Sequence, residues 1–189
     1  KEFKNFVEKS GIPAAWTILG ASAIPTSHEL NVGMVGMHGN YGPNILTNKC
    51  DLLIAIGMRF DDRVTGDTST YAKQAKIIHL EIDPAEVNKN IIVDVPIVGN
   101  CKDSLRMLTR NIKAKSYKKW LNRFDELMKK EFKKVIKSDL SPKKKGLTMG
   151  ESIIAINKFT KGKAIIVTDV GQHQMVACRY ANFIDSKSN

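Results

Sequence analysis

The sequence is poor in cysteine and has no long hydrophobic run. Its three cysteines, Cys50, Cys101 and Cys178, are odd in number and widely spaced, which excludes a disulfide framework and the common metal-ligand patterns. We therefore expect three inert packing residues, a reducing cytoplasm and no metal ligands in this chain. No apolar stretch reaches the ~18 residues of a membrane-spanning helix, so we predict no membrane partner.

An initiator methionine and a signal-peptide pattern are also missing. Residues 1–10 have the pattern of a charged amphipathic helix instead of a basic region followed by an apolar core. The chain of 189 residues suffices for about one domain or slightly more. We interpret the missing methionine and the abrupt end at residues 186–189 as signs of a piece of a longer chain.

Acidic residues are scarce relative to basic ones: 19 Asp and Glu stand against 30 Lys and Arg, for a net charge of +11. Much of the lysine lies in residues 129–137 and 143–145. Such a field can attract nucleic acid. However, the first group lies on a helix with an apolar opposite face, and no nucleic-acid motif or interleaved aromatic residue accompanies the lysines. We therefore predict solvated surface and no nucleic-acid partner.

Strand-like and helix-like segments alternate, which predicts an α/β fold with a mostly parallel sheet flanked by helices. The predicted strands are residues 14–19, 52–56, 76–82, 93–98 and 163–168. A long glycine-rich loop is expected over residues 20–42. The predicted helices cover residues 1–10, 43–49, 100–112, 116–137 and 171–183, with one more that starts at Thr148.

Capping and linker patterns predict how the chain is divided. Asp83 followed by Pro84 and Glu86 is typical of a helix start, and Thr148 with Glu151 matches a capping box. Residues 138–146 have a linker composition. We therefore predict a first domain over residues 1–112, a long helix and linker over 113–146, and the truncated start of a second α/β domain over 147–189. The apolar stripe of the long helix is predicted to be Trp120, Phe124, Leu127, Phe132 and Val135.

Four charged residues directly follow the apolar strand at residues 52–56, in the segment Gly-Met-Arg-Phe-Asp-Asp-Arg-Val-Thr-Gly at 57–66. Ligands of open α/β sheets bind just past the carboxyl ends of the strands. Arg59 and Arg63 carry planar forks that suit carboxylate or phosphate oxygens, and Asp61 can hold an arginine in place. The segment predicts an anion-binding loop; a surface salt-bridge cluster is the alternative.

The glycine-rich loop is a weaker signal. Gly33, Gly36 and Gly39 would let the backbone approach a ligand closely, but their spacing is not the dinucleotide-binding fingerprint. A plain surface loop fits as well, and His38 alone would more often be structural.

Two other segments are compatible with a nucleotide or phosphate ligand. Glu81 and Asp83 end a strand at the place where an acid commonly receives ribose or ribityl hydroxyls, although Asp83 can simply cap the next helix. Residues 168–173 pass from a strand into a helix N-terminus, which suits phosphate, although a plain turn is the alternative.

Together, these segments resemble one family, the acetohydroxyacid (acetolactate) synthase catalytic subunits, over nearly the whole chain. The matching motifs are residues 36–39, 59–66, 79–83, 96–99 and 168–175. The resemblance is specific, because a generic thiamine-diphosphate fold would not predict the Arg-Phe-Asp-Asp-Arg string. It implies that residues 1–112 form a Rossmann-like central domain that carries FAD and that residues 147–189 begin the thiamine-diphosphate-binding domain.

The resemblance also implies three sets of site residues. FAD would be lined by Thr17, Ile18, Leu19, Gly36, Met37, His38, Gly57, Arg59, Asp61, Val64, Glu81, Ile82, Asn100 and Cys101. Thiamine diphosphate would contact Val170, Gly171, Gln172 and His173, and Arg63 would hold the carboxylate of the second 2-oxoacid. The glutamate that activates thiamine and the Mg²⁺-binding motif would lie outside this chain. The family commonly has Asp where this chain has Glu81 and Asn100.

The implied reaction condenses pyruvate with pyruvate or 2-oxobutyrate, with loss of CO₂, and opens the biosynthesis of valine, leucine and isoleucine. The cofactor carries the chemistry and the protein positions the reactants. A homodimer or tetramer is expected, with a regulatory small subunit as a further partner that the resemblance allows. We expect the chain alone to be inactive. Two alternatives stay open: another FAD-bearing enzyme of the glyoxylate carboligase or pyruvate oxidase type, and a non-catalytic nucleotide-binding module.

Overall fold

A computed structural model describes residues 1–142 and 145–184. Residues 143–144, in the predicted lysine run and linker, and residues 185–189, at the end of the last predicted domain, lie outside the described residues. The helices are α1 Glu2–Ser10, α2 Tyr41–Thr47, α3 Asp62–Thr65, α4 Cys101–Asn111, α5 Lys118–Glu131, α6 Lys137–Leu140, α7 Met149–Thr160 and α8 Gln172–Tyr180. The strands are β1 Ala14–Trp16, β2 Asn31–Met34, β3 Leu52–Ile56, β4 Lys76–Glu81 and β5 Val95–Val98.

The chain divides into two compact units. The first unit comprises Lys1–Ile12 and Asn44–Tyr117, and the second comprises Pro13–Pro43 and Lys118–Asn189. Each unit has its own parallel strands and its own buried cluster. The predicted domain boundaries near residues 112 and 146 stay a prediction.

The first unit is built on a three-stranded parallel sheet in the order β3-β4-β5. Ile54 pairs with Ile78, which also pairs with Val95, so the carboxyl ends of all three strands lie at one edge. Phe6 of α1 and Leu105 of α4 pack with the fully buried Leu80 of β4. A second cluster contains Ala55, Phe60, Tyr71, Ala72, Ile77, Ile91 and Val93. Apolar packing of this kind is typical of parallel sheets and confirms the predicted α/β class.

The second unit contains the parallel pair β1-β2, in which Trp16 lies opposite Met34. The rings of Trp16 and Phe183 meet edge to face with centroids 6.4 Å apart. Helix α7 begins with the predicted capping box: the Thr148 hydroxyl accepts from the Glu151 amide at 3.1 Å, and the Glu151 carboxylate accepts from the Thr148 amide at 2.9 Å. This reciprocal capping satisfies amides that the first helical turn would leave unpaired.

Two predicted segments differ from the structure. Strand β2 lies inside the predicted 20–42 loop, where Val32 and Met34 are buried and alternate with less buried residues. Residues 163–168 form no strand, and no strand of residues 1–142 or 145–184 pairs with them. Their side chains alternate between exposed and half-buried: Ile165 is exposed by 69% and Val167 by 87%, whereas Ile166 packs against the cluster of the second unit. A strand needs a hydrogen-bonded neighbour, and apolar composition alone does not provide one.

The predicted long helix contains an irregular turn. Helix α5 ends at Glu131, a π-helical turn covers Phe132–Ile136, and α6 continues to Leu140. Phe132 and Val135, which were predicted to be part of the apolar stripe, are exposed by 50% and 40%, whereas Glu131 is buried. The wider turn shifts the helical phase, so side chains beyond Glu131 no longer follow the stripe. Among the described residues, no helix is both long and apolar enough to cross a membrane.

A carboxylate between two strands gives the first unit a testable acid sensitivity. Asp94 accepts from Lys76 Nζ and from the Ile77 amide, both at 2.8 Å. The hydrogen bond from Lys76, followed by the one from Ile77, lowers the pKa of Asp94 from its ordinary value of 3.8. Since the pKa is lower in the folded protein than in the unfolded one, the stabilisation is present above the ordinary value and is lost as pH falls through the folded value.

We expect Asp94→Asn to lower the urea midpoint at neutral pH and to approach the wild type as the pH is lowered to about 2 and Asp94 becomes protonated. Urea unfolding of both proteins at the two pH values measures this. A difference that is equally large in acid would show that the charge of Asp94 contributes nothing.

Candidate cofactor-binding site

Two glycines leave free space beside the backbone at the carboxyl-end edge of the β3-β4-β5 sheet. Gly57 follows β3 with φ of 59° and donates to the Leu80 carbonyl at 2.8 Å, and Gly99 follows β5 and donates to the Glu81 carbonyl at 2.8 Å. A Cβ atom built on either glycine would meet no atom within 4 Å. These turns therefore continue the sheet hydrogen bonding while leaving room for a ligand to approach the backbone, which fits the nucleotide portion of FAD.

Glu81 and Ile82 lie at the same edge of the sheet, the first with a buried side chain and the second with an exposed one. Glu81 is buried, and its Oε1 accepts from the amides of Ile82 at 2.8 Å and Asp83 at 3.3 Å. The Ile82 side chain is 66% exposed. Asp83 accepts from the Ala85 amide at 2.9 Å and caps a single 3₁₀ turn, Pro84–Glu86, instead of the predicted longer helix. The edge thus combines a buried carboxylate, anchored through one oxygen, with an exposed apolar side chain.

Asn100 and Cys101 begin α4 beside Gly99. The Asn100 Oδ1 accepts from the Lys102 amide at 2.9 Å, which is the predicted helix cap. The Cys101 thiol donates to the Leu80 carbonyl at 3.6 Å, and burial raises its pKa. A thiol of raised pKa is a poor nucleophile, so Cys101 is suited to packing.

The Arg59–Arg63 turn is fixed by a buried aromatic side chain at its centre. Phe60 has φ of 55°, in the left-handed region, and is only 2% exposed. Its ring meets those of His79 at 5.0 Å and Tyr71 at 6.3 Å, both edge to face. A bulky residue rarely adopts this backbone conformation, so packing of the ring holds the turn in place.

Fully buried His79 supports the same turn from β4. Its Nε2 lies 2.8 Å from the carbonyl oxygen of Met58. A carbonyl only accepts, so the Nε2 proton donates. The Nδ1 atom is buried and has no hydrogen-bond partner among the described residues. Sequence reasoning recognised His79 only as part of a motif, because no local pattern indicates a bond to a carbonyl 21 residues away.

Both arginines of the turn are exposed and paired with neighbouring acids. Arg59 donates to Asp61 at 2.9 Å and Arg63 donates to Asp62 at 2.7 Å. The arginine side chains are 61% and 72% exposed. Asp61 precedes the short helix α3, which contains the half-buried Val64. Because solvent reaches both guanidinium groups, each can exchange its exposed partner for a bound carboxylate or phosphate.

The remaining predicted flavin contacts belong to the second unit. Thr17 precedes the 3₁₀ turn Ile18–Gly20, in which the Leu19 side chain is 88% exposed. Gly36 has φ of 107°, and Met37 and His38 are exposed at the tip of the following turn. We name residues 36–40 the glycine turn. A Cβ at Gly39 would clash with the Met34 carbonyl, so only glycine fits this position.

Helix α8 presents the predicted thiamine-diphosphate contacts at its N-terminus. Gly171 precedes the helix with φ of 155°, and a Cβ there would lie 2.9 Å from the His173 ring. Gln172 and His173 form the first turn, and Val170 is 82% exposed. Unpaired amides and the helix dipole at such an N-terminus favour an anion such as a diphosphate.

Sequence reasoning missed two charged residues behind the glycine turn, Glu131 and Arg179. The buried Glu131 accepts from the Tyr41 amide at 3.0 Å. Arg179 donates to the Gly39 carbonyl at 2.9 Å and lies 3.6 Å from Glu131. Glu131 lies seven positions after Phe124 and therefore belongs to the same face of the helix as the apolar stripe. A charged residue on that face was the sequence signal that could have identified Glu131.

The predicted flavin residues are therefore divided between the units. Thr17, Ile18, Leu19, Gly36, Met37 and His38 belong to the second unit, and Gly57, Arg59, Asp61, Val64, Glu81, Ile82, Asn100 and Cys101 belong to the first. Within the first unit, the sheet edge brings Gly57, Glu81 and Gly99 together through backbone hydrogen bonds. All four predicted thiamine-diphosphate contacts are consecutive in the second unit.

Comparison with known proteins shows the family of this chain. Residues 1–108 match the family described as "Thiamine pyrophosphate enzyme, central domain". The chain is 39% identical over 94% of its length to the acetolactate synthase large subunit of Lactococcus lactis and covers 30% of that protein. It is 42% identical over 93% of its length to a probable acetolactate synthase large subunit of Methanocaldococcus jannaschii, again covering 30%.

A plant relative gives the same result. The chain is 38% identical over 97% of its length to the chloroplastic acetolactate synthase 1 of Zea mays, of which it covers 29%. The chain thus spans a little under one third of the length of these three relatives. Because the family match covers residues 1–108, more than half of the 189 residues, the chain belongs to the thiamine pyrophosphate enzymes and contains their central domain.

Proposed function

We propose that this chain is part of an acetolactate synthase large subunit. Similarity to acetolactate synthases from three organisms over at least 93% of the chain carries the proposal. The proposed reaction condenses pyruvate with a second pyruvate or with 2-oxobutyrate and releases CO₂. In this proposal residues 1–112 form the FAD-carrying domain, 113–146 the connecting helix and linker, and 147–189 the start of the thiamine-diphosphate domain.

The proposed flavin contacts are given for each unit by itself. In the first unit, Gly57 and Gly99 give the nucleotide close access to the sheet edge, and Glu81 supplies a carboxylate for its hydroxyls. Arg59 is proposed to pair with the phosphates, since its guanidinium is exposed and oriented by Asp61. The other proposed contacts are Thr17, Ile18, Leu19, Gly36, Met37, His38, Val64, Ile82, Asn100 and Cys101.

Thiamine diphosphate, when bound, supplies the electron sink for decarboxylation and carbon–carbon bond formation. We assign Val170, Gly171, Gln172 and His173 to its diphosphate, because they lie at the α8 N-terminus. Mg²⁺ is proposed to accompany the diphosphate. Within residues 1–142 and 145–184, no three His, Cys, Asp or Glu side chains form a metal site. From the resemblance, we assign the metal ligands and the activating glutamate to other parts of the enzyme.

Arg63 is the proposed substrate contact of this chain. Its guanidinium is 72% exposed and can leave Asp62 to form two parallel hydrogen bonds with the carboxylate of the second 2-oxoacid.

The full-length enzyme is proposed to act in the cytoplasm as a homodimer or tetramer, with a regulatory small subunit as a partner. The 189-residue chain alone is proposed to be inactive.

Product analysis of the natural full-length protein tests this function. With pyruvate, FAD, thiamine diphosphate and Mg²⁺ supplied, we expect acetolactate and CO₂, and acetohydroxybutyrate when 2-oxobutyrate is added. Parallel reactions with glyoxylate, and with pyruvate, phosphate and oxygen, test the glyoxylate carboligase and pyruvate oxidase types. Turnover in those reactions without acetolactate would refute the proposal, and so would flavin binding without any turnover.

A further inference from the structure

The glycine turn is held by one positively charged and one negatively charged side chain. Arg179 of α8 donates through one guanidinium nitrogen to the carbonyl of Gly39 at 2.9 Å and to that of His38 at 3.4 Å. The Glu131 carboxylate accepts from the Tyr41 amide at 3.0 Å and from Asn40 Nδ2 at 3.5 Å. A cation thus contacts the carbonyls of the turn, and an anion contacts the side chain of Asn40 and the backbone amide of Tyr41, which follows the turn.

The two charged residues also support each other. Arg179 and Glu131 lie 3.6 Å apart, with side chains exposed by only 21% and 4%. A buried carboxylate is costly unless it is paired and hydrogen-bonded, and removing one partner leaves the other uncompensated. Loss of either charge is therefore expected to disturb the contacts of both side chains with the glycine turn.

The local sequence accounts for the position of each partner. Glu131 lies seven positions after Phe124, on the apolar face of α5, and is the last residue before the π-helical turn Phe132–Ile136. Asn40 connects the turn to β2, because its Oδ1 accepts from the Met34 amide at 3.0 Å. The tip residues Met37 and His38 stay exposed while the backbone around them is fixed.

We propose that Arg179 and Glu131 are positioning residues that hold the glycine turn in the conformation that binds the flavin. The inference depends on the proposed function for the identity of the ligand, but the contacts themselves come from the structure. Neither residue would touch the flavin. Their effect is to fix the carbonyls and amides of residues 38–41, and thereby the orientation of Met37 and His38.

Two measurements on the natural full-length protein test the inference: amide hydrogen exchange at Asn40 and Tyr41, and the dissociation constant for FAD. In Arg179→Ala we expect exchange at both amides to accelerate about tenfold, although Arg179 bonds to neither of them. We expect the dissociation constant to rise about tenfold as well. Arg179→Lys keeps the charge and one donor and should recover part of both effects.

Arg123→Ala is the matched control. It removes the same charge in the same unit, where Arg123 lies 5.0 Å from the Trp120 ring. It should change neither readout. Glu131→Gln keeps an acceptor for Tyr41 but leaves Arg179 without a carboxylate partner, and should weaken FAD binding in the same direction as Arg179→Ala.

Unchanged exchange in Arg179→Ala would overturn the inference, and so would faster exchange with unchanged FAD affinity. If the wild-type protein binds no FAD at all, the proposed function fails and flavin positioning fails with it. That case differs from failure of the inference alone, in which the wild type binds FAD and Arg179→Ala binds it equally well.

Discussion

Replacement of Arg63 by alanine in the natural full-length protein is expected to raise KM for the second 2-oxoacid about 10- to 100-fold, because a charged hydrogen-bonding partner of the substrate carboxylate is lost. Arg63 is suited to this role because it is 72% exposed and, among the residues that the structure describes, is held only by its immediate neighbour Asp62. Arg63→Lys should recover only part of the loss, since an ammonium group lacks the planar fork. Steady-state kinetics with pyruvate and 2-oxobutyrate in competition measure the effect.

FAD affinity separates this role from a general disturbance of the turn. We expect Arg63→Ala to retain FAD, because Arg59 and its partner Asp61 remain in place. Arg110→Ala, on the exposed surface near the end of α4, removes the same charge and should leave KM unchanged. An Arg63→Ala enzyme with wild-type KM and product ratio would contradict the substrate role.

Replacement of Phe60 by alanine is expected to destabilise the first unit by about 3–5 kcal/mol, the usual cost of removing a fully buried aromatic ring. The ring is 2% exposed and contacts both Tyr71 and His79. Its loss also frees the turn that carries Arg59 and Arg63, so FAD affinity should fall together with stability. Urea unfolding, followed by far-ultraviolet circular dichroism, gives the free energy of unfolding.

The left-handed backbone at Phe60 makes this prediction more specific. Phe60→Gly removes the same ring but relieves the strain of φ 55°. We therefore expect Phe60→Gly to be more stable than Phe60→Ala by about 1 kcal/mol, the reverse of the usual order of alanine and glycine. Phe159→Ala is the matched control, because the Phe159 ring is 90% exposed. Equal stability of the glycine and alanine variants would contradict the strained turn.

The sequence predicts those parts of the fold that depend on local chemistry. Strand β3 has the predicted bounds, because a run of aliphatic residues ends at a glycine of positive φ. The caps at Asn100 and Thr148 are also as predicted, since capping depends on residues within one helical turn. The resemblance to one enzyme family is confirmed because several short motifs occur together and in order.

Features that depend on distant residues could not be predicted in the same way. Strand β2 is short and contains Gly33, so its pairing with β1 decides its conformation more than its composition does. Residues 163–168 have a strand composition but no neighbouring strand among the described residues. The partners of Glu131 are another such feature, because they lie about 90 residues earlier, at Asn40 and Tyr41.

Titration of FAD into the natural full-length protein, with Arg59→Ala and Arg110→Ala measured alongside, tests the central claim most directly. We predict saturable binding to the wild type and to Arg110→Ala, with binding at least about tenfold weaker in Arg59→Ala, because its guanidinium is the proposed phosphate contact. Quenching of flavin fluorescence and calorimetric heat report the same event independently. Absence of binding to the wild type, or equal affinity in all three proteins, would contradict the account.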